Sequence, residues 1–250
     1  MNRKNNLVLL HGWGQHSGIW QQLIAGLTPQ FNVDSIDLPG HGYSRWEPPY
    51  FALDALVDAI AKQAPAHCHV AGWSLGGMLA LRWAQRYPKQ VQKLILIAST
   101  PCFGQRPGWT HGTPEEIQTA FAEQVAADPT RGLQRFADLL AEGEADVRAT
   151  RRALRTHLAA SPTPPAAALL AGLKFLAETD LRADLLATPP PQATLLLHGE
   201  DDTITPFAAS QYLASTLPHA RLQALPQCGH APMVSHPAEL LTALQNFLHD

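Results

Sequence analysis

Val70-Ala71-Gly72-Trp73-Ser74-Leu75-Gly76-Gly77-Met78 decides the reading of this chain. An apolar run over residues 70–73 reaches a G-x-S-x-G signature and gives way to a helical pattern over 75–87, stopped by Pro88. A buried strand that turns straight into a helix holds the corner residue in strained backbone angles, and glycines two positions either side make room for it. Gly77 extends that relief and lets the helix approach the sheet. A serine at such a corner stands clear of the surface, at the positive end of a helix dipole. A bare G-x-S-x-G also occurs in plain tight turns; the strand–turn–helix setting is what makes Ser74 the candidate nucleophile.

A serine hydroxyl is a weak nucleophile and needs a base, which in turn needs an orienting acid. With the serine at a strand-to-helix elbow, the expected chain order is Ser, then acid, then His. His230, in Gln227-Cys228-Gly229-His230-Ala231-Pro232, follows the last apolar run and is the favoured base. His236 precedes Pro237 and reads as a helix entry; His198 precedes Gly199 at a strand end and suits packing or a loop. Three carboxylates follow the run at 194–197: Glu200, Asp201 and Asp202. Asp202 is favoured over Asp201. The other place for the acid, after the run at 94–98, is empty, since no Asp or Glu occurs from 91 to 114. Oxyanion donors are expected from the backbone N–H groups of Trp13, in the glycine-rich turn His11-Gly12-Trp13-Gly14, and of Leu75. A second glycine-rich loop, residues 37–44, reads as a turn bracing the site.

Apolar runs at 7–10, 33–36, 70–73, 94–98, 194–197 and 221–225 read as buried parallel strands. Between them, 19–27, 53–63, 75–87, 208–216 and 238–248 read as helices. That alternation predicts a doubly wound α/β sheet. It breaks from 101 to 191, a stretch rich in Ala, Leu, Arg and Glu with Pro clusters at 129, 162–165 and 189–191 that look like joints between helices. The expected organisation is a core of residues 1–100 and 192–250 with a helical cap, or lid, inserted at 101–191.

The chain has 250 residues, 46% hydrophobic and 16% charged, enough for one sizeable core. Net charge is −3, so no basic field invites nucleic acid. No apolar run approaches a membrane span and no signal peptide is read, so a cytoplasmic protein, monomeric and without membrane contact, is expected. Cys68, Cys102 and Cys228 are widely spaced and read as small buried residues; His67 and His69 flank Cys68 without a further ligand, so no metal site is expected. Charge is uneven, however. Residues 131–155 hold six Arg against four acids, and Arg148, Arg151, Arg152 and Arg155 share one helix face at i, i+3, i+4 and i+7. No acid lies between 147 and 157, so this stripe is expected to face water or an acidic partner, with pairing to Glu142, Glu144 and Asp146 as the alternative.

Together HGWG (11–14), DLPGHGYS (37–44), GWSLGG (72–77), GEDDTITP (199–206) and GHAPMVSHP (229–237) resemble the α/β hydrolases over almost the whole chain. More narrowly, LVLLHGWG, GWSLGG followed by ASTPCF (98–103), and HAPMVSHPAE (230–239) resemble the pimeloyl-acyl carrier protein methyl ester esterases of biotin synthesis. The resemblance implies an α/β-hydrolase fold and removal of a methyl group from a pimeloyl chain held on acyl carrier protein, with no cofactor. It maps the nucleophile, acid and base to Ser74, Asp202 and His230, the oxyanion donors to Trp13 and Leu75, and the arginines that receive the carrier to Arg131, Arg135, Arg148 and Arg152. Two features depart from it. Only six residues precede the first run, so the N-terminal hairpin usual in the fold is expected to be absent, leaving about six strands; and segment 161–165 matches poorly. Other readings are a broad carboxylesterase for small esters, a carbon–carbon bond hydrolase, and a binding protein that kept the fold without catalysis.

Overall fold

The computed structural model describes residues 4–47 and 52–250. Six strands form one sheet: β1 (Asn5–Leu10), β2 (Phe31–Ile36), β3 (Cys68–Trp73), β4 (Val91–Ile97), β5 (Ala193–Gly199) and β6 (Ala220–Leu225). Their order is β2-β1-β3-β4-β5-β6 and every pairing is parallel. All six expected strands are present, each within a few residues of its expected span.

Parallel strands need crossover helices, and these cover both faces. α1 (Gln21–Leu27) and α11 (Pro237–His249), the latter just after the short α10 (Pro232–Ser235), lie on one side; α2 (Leu53–Gln63), α3 (Leu75–Arg86) and α9 (Phe207–Thr216) lie on the other. The strands' period of two sorts the core. Leu7 and Leu9 pack with Leu23, Leu240 and Leu244, while Val8 and Leu10 pack with Leu56, Met78 and Leu79. β3 is buried along its whole length. Each such Leu removed from water contributes about 1.5–3 kcal/mol. The expected helix at 19–27 is divided: a short 3-10 turn, Ser17–Trp20, precedes α1.

Five helices stand between β4 and β5: α4 (Glu115–Ala127), α5 (Pro129–Leu140), α6 (Val147–Ala159), α7 (Ala166–Glu178) and α8 (Arg182–Ala187). Their joints follow from local chemistry. Asp128 caps α5 by accepting from Arg131 N at 3.0 Å, with Pro129 in the first turn, and Asp146 caps α6 by accepting from Ala149 N at 2.9 Å. Residues 161–165 separate α6 from α7, and 189–191 separate α8 from β5. No helix among the described residues is long and apolar enough to cross a membrane.

After β1 the chain adds β2 on one side and then β3 on the other, so the sheet changes direction at β1. Crevices at the carboxyl ends of strands flanking such a switch are where open α/β sheets hold ligands. The turn after β1 and the turn after β3 meet there. α3 approaches so closely that a methyl group on Gly76 would sit 2.4 Å from Leu10 O and 2.6 Å from His11 O, both backbone atoms that cannot step aside. Gly76→Ala is therefore expected to destabilise by about 1–3 kcal/mol, the range of core overpacking. A urea midpoint equal to that of the wild type would show that α3 does not press on β1 in this way.

Candidate active site

Ser74 occupies the corner between β3 and α3 with φ 55° and ψ −119°, a conformation that side-chain-bearing residues seldom adopt. Its amide donates to Ile97 O at 3.0 Å, and Ser99 Oγ donates to Ser74 O at 2.9 Å. Ser74 lines a cavity of about 570 Å³ whose walls include Trp13, Phe121, Phe136 and Leu173. α4, α5 and α7 thus roof the serine with apolar side chains.

Asp202 and His230 meet at 2.7 Å, carboxylate Oδ2 to imidazole Nδ1. Both are buried. The bond places a proton on Nδ1 and leaves the lone pair on Nε2, which is buried without a hydrogen-bond partner. Trp73, one residue before Ser74, donates its indole N–H to His230 O at 2.7 Å and ties the histidine loop to the serine's strand. Asp202 also accepts at Oδ1 from the amides of Ile204 and Thr205, each at 2.9 Å, and at Oδ2 from Thr205 Oγ1 at 2.9 Å. Burial alone raises a carboxyl pKa; the charge of His230 and the contact with His198 outweigh it and hold Asp202 below the ordinary carboxylate range. Asp201 is exposed. Its amide donates to Cys228 O at 3.0 Å.

His198 has a larger part than packing. It is buried, with Nδ1 2.5 Å from Ser210 Oγ and Nε2 2.6 Å from Thr205 O. A carbonyl only accepts, so Nε2 carries the proton; it also lies 3.1 Å from Asp202 Oδ2. His198 thus contacts the same carboxylate oxygen as His230. Its place four residues before Asp202 was the available signal, but strand-end histidines have many packing roles. His236, the other histidine weighed as base, sits at the start of α11 with Nδ1 4.0 Å from Glu144 Oε2.

The backbone N–H groups of Trp13 and Leu75 have no hydrogen-bond partner among the described residues. The Trp13 indole donates to Leu169 O on α7 at 2.9 Å, and its ring packs edge-on to Phe136 at 4.9 Å. The loop at 37–44 braces this turn. Leu38 N donates to His11 Nε2 at 2.9 Å, Gly14 N donates to His41 Nε2 at 3.3 Å, and Asp37 accepts from Ser17 N and Tyr43 N. Burial holds both imidazoles neutral, His11 pushed down to about 3 and His41 to about 4.

Glu144, Cys228 and His236 bring ligand-type atoms within 4.8 Å of one another. Burial, with the Glu144 charge beside it, pushes the Cys228 thiol far up. Burial also pushes Cys68 up to about 12 and Cys102 up to about 11, so neither thiol is reactive.

On α5 and α6, Arg131, Arg135, Arg148 and Arg152 are exposed and form no ion pair among the described residues. The stripe on α6 is not wholly unpaired, however. Asp138 of α5 lies 3.2 Å from Arg151 and 2.9 Å from Arg155. The pairing comes from the neighbouring helix and has no counterpart in the spacing within α6.

This combination of sheet, elbow serine and acid–histidine pair defines an α/β hydrolase, and residues 7–243 match the sequence profile of the alpha/beta hydrolase family. The chain belongs to that family and is a carboxylic ester hydrolase. It is 42% identical to the pimeloyl-[acyl-carrier protein] methyl ester esterase of Nitrosomonas europaea, over 95% of this chain and 93% of that one. It is 41% identical to the protein of the same name from Aromatoleum aromaticum, over 98% of each. Among solved structures, an esterase from Exiguobacterium antarcticum superposes with a TM-score of 0.90 over 100% of this chain and 94% of its own, at 20% identity, a likeness of fold.

Two tests follow from the geometry. Asp202→Asn is expected to lower kcat by about 10⁴, the cost of a lost tautomer lock, and Ser74→Ala by about 10⁶. Asp201→Asn should stay within a few-fold of wild type, and the reverse ranking of the two aspartates would move the acid by one residue. The second test is thermal. An unfolded histidine takes up its proton near pH 6.5, whereas buried His11 and His41 do so only near 3 and 4. The unfolded chain therefore binds more protons between these values. Stability is full above pH 6.5 and falls below it, by about 1.4 kcal/mol per pH unit for each imidazole. A melting temperature unchanged from pH 7.5 to 5 would show that the two are not held neutral.

Proposed function

We propose that the chain hydrolyses the methyl ester of a pimeloyl chain carried on acyl carrier protein, as the names of its relatives describe, in the synthesis of biotin. The observation that carries this reading is the apolar cavity over Ser74, roofed by a cap whose outer face holds unpaired arginines. Residues 101–191 act as a lid on a core formed by 1–100 and 192–250. An extended acyl chain gains about 0.8 kcal/mol per buried CH₂ in such a cavity. The carrier, an acidic protein, docks outside on Arg131, Arg135, Arg148 and Arg152, while Arg151 and Arg155 stay with Asp138.

In the proposed reaction Ser74 Oγ attacks the ester carbonyl while His230 Nε2 takes its proton. The oxyanion is held by the N–H groups of Trp13 and Leu75. His230 returns the proton to the methoxide oxygen as the C–O bond breaks, and methanol leaves an acyl-serine. Water, deprotonated by His230, attacks that ester; the Ser74 oxygen leaves with the proton, and the product is the free carboxylate. Asp202 keeps the imidazole oriented and stabilises its charged form throughout. The chain itself supplies every group these steps need, with no cofactor.

Charge reversal at Arg148 and Arg152 together is expected to raise KM for the carrier-bound ester about tenfold or more, with a free methyl or p-nitrophenyl ester turned over as before. High salt should act in the same direction, since exposed charges are screened beyond about 8 Å at physiological ionic strength. Equal effects on both substrates would assign the arginines to the cap's own stability and favour a broad esterase for small esters.

A further inference from the structure

The turn between α5 and α6, residues 141–146, reaches out of the cap and into the loops that carry the acid and the base. Glu144 is its centre. It is 4% exposed as a residue, and its side chain is wholly buried. Among the described residues the only other buried carboxylate is that of Asp202. Burying a carboxylate is costly unless hydrogen bonds compensate. Asp202 has five contacts of that kind, whereas Glu144 accepts one backbone hydrogen bond, from Ala231 N to Oε1 at 3.1 Å, with the Cys228 thiol beside it and His236 Nδ1 4.0 Å from Oε2. Its Oε2 has no hydrogen-bond partner.

Ala231 directly follows His230. We infer that Glu144 is a positioning residue for the base: from the cap, it holds the backbone beside His230 and so sets where the imidazole stands. The inference rests on the reading of His230 as the base.

The surroundings of Glu144 support that role. Ala145 N donates to Gln227 O at 3.1 Å, and Gln227 is held at φ 54°. Gly143, at φ 80°, lies so close to Asp201 that an added methyl group would meet its carbonyl oxygen at 2.0 Å. A methyl group on Gly229 would meet Glu142 O at 2.5 Å. The turn is thus wedged between the acid loop and the base loop, with backbone against backbone on both sides. From the core side, the segment 227–231 is tied by Trp73 Nε1 at His230 O and by Asp201 N at Cys228 O. From the cap side it is tied by Glu144 and Ala145. Two of the hydrogen bonds that hold the base loop therefore come from an element that carries no triad residue. A displacement of about 1 Å in such a group can cost about 10²-fold in rate.

The carboxylate's necessary property, on this reading, is an acceptor at the right reach rather than a charge. Glu144→Gln keeps the acceptor and Glu144→Asp keeps the charge but falls one methylene short. The experiment measures kcat and KM on a free methyl ester for wild type, Glu144→Gln, Glu144→Asp and Glu144→Ala. Serine-dependent turnover by the wild type, lost in Ser74→Ala, is established first; its absence sinks the triad reading and the inference with it. Given that turnover, the expected result is a fall of 10- to 100-fold in kcat for Glu144→Ala and Glu144→Asp, KM within twofold, and Glu144→Gln within threefold of wild type. A merely structural role would not sort the three variants by acceptor reach. Should Glu144→Ala fail to fold, the Gln and Asp variants decide. The inference is overturned if Glu144→Gln is as impaired as Glu144→Asp, if the ranking is reversed, or if the change lies in KM alone.

Discussion

The backbone at Ser74 is held where a side-chain-bearing residue does not go unaided. A positive φ of 55° costs on the order of 1–3 kcal/mol and persists only where neighbours over-determine it. Here they do. The Ser74 amide is fixed by β4, its carbonyl by Ser99, and its helix by contact of Gly76 with the end of β1. Three strands and one helix therefore meet at a single residue. Ala98, at φ 43° just past β4, and Gln227, ahead of the histidine loop, share the strained region. All the positive-φ residues other than glycine among those described stand at the carboxyl edge of the sheet, where the site is.

Charge is distributed around that edge with the same economy. Asp202 remains ionised in a dry place because both its oxygens are occupied, Oδ1 by two amides and Oδ2 by a hydroxyl and two imidazoles. The fixed tautomer of His230 follows from that saturation rather than from any property of the histidine. His11 and His41 do the opposite work. Neutral and buried, they serve as hydrogen-bond links that stiffen the turn carrying Trp13.

The helices between β4 and β5 are tied to the turns at the sheet's carboxyl edge. Trp13 is pinned to α7 through its indole, and His16 stacks on His157 of α6 with ring centres 3.7 Å apart. The turn at 141–146 enters the acid and base loops. The loops that hold Asp202 and His230 thus meet the sheet on one side and the α5–α6 turn on the other. On the proposed reading this division suits a carrier-bound substrate: the apolar interior takes the acyl chain, the charged exterior takes the protein, and α5 carries a part of both.

The sequence alone determined the parts that depend on near neighbours. Six apolar runs and the elbow at Ser74 are each written within a few neighbouring residues, because strand burial and turn chemistry are local. Asp202 could be preferred to Asp201, and His230 to His236, by spacing from those elements. Tertiary structure decided whatever depends on what lies across a gap. The contact of Asp202 with His198, four residues earlier at the same strand end, depends on how the chain folds back after β5. The pairing of Arg151 and Arg155 with Asp138 needed the packing of α5 on α6, since an arginine on one helix can be neutralised from another. Glu144 gave no sign in the sequence, one acid among several in a charged stretch, because burial is a property of the assembled chain and not of the residue.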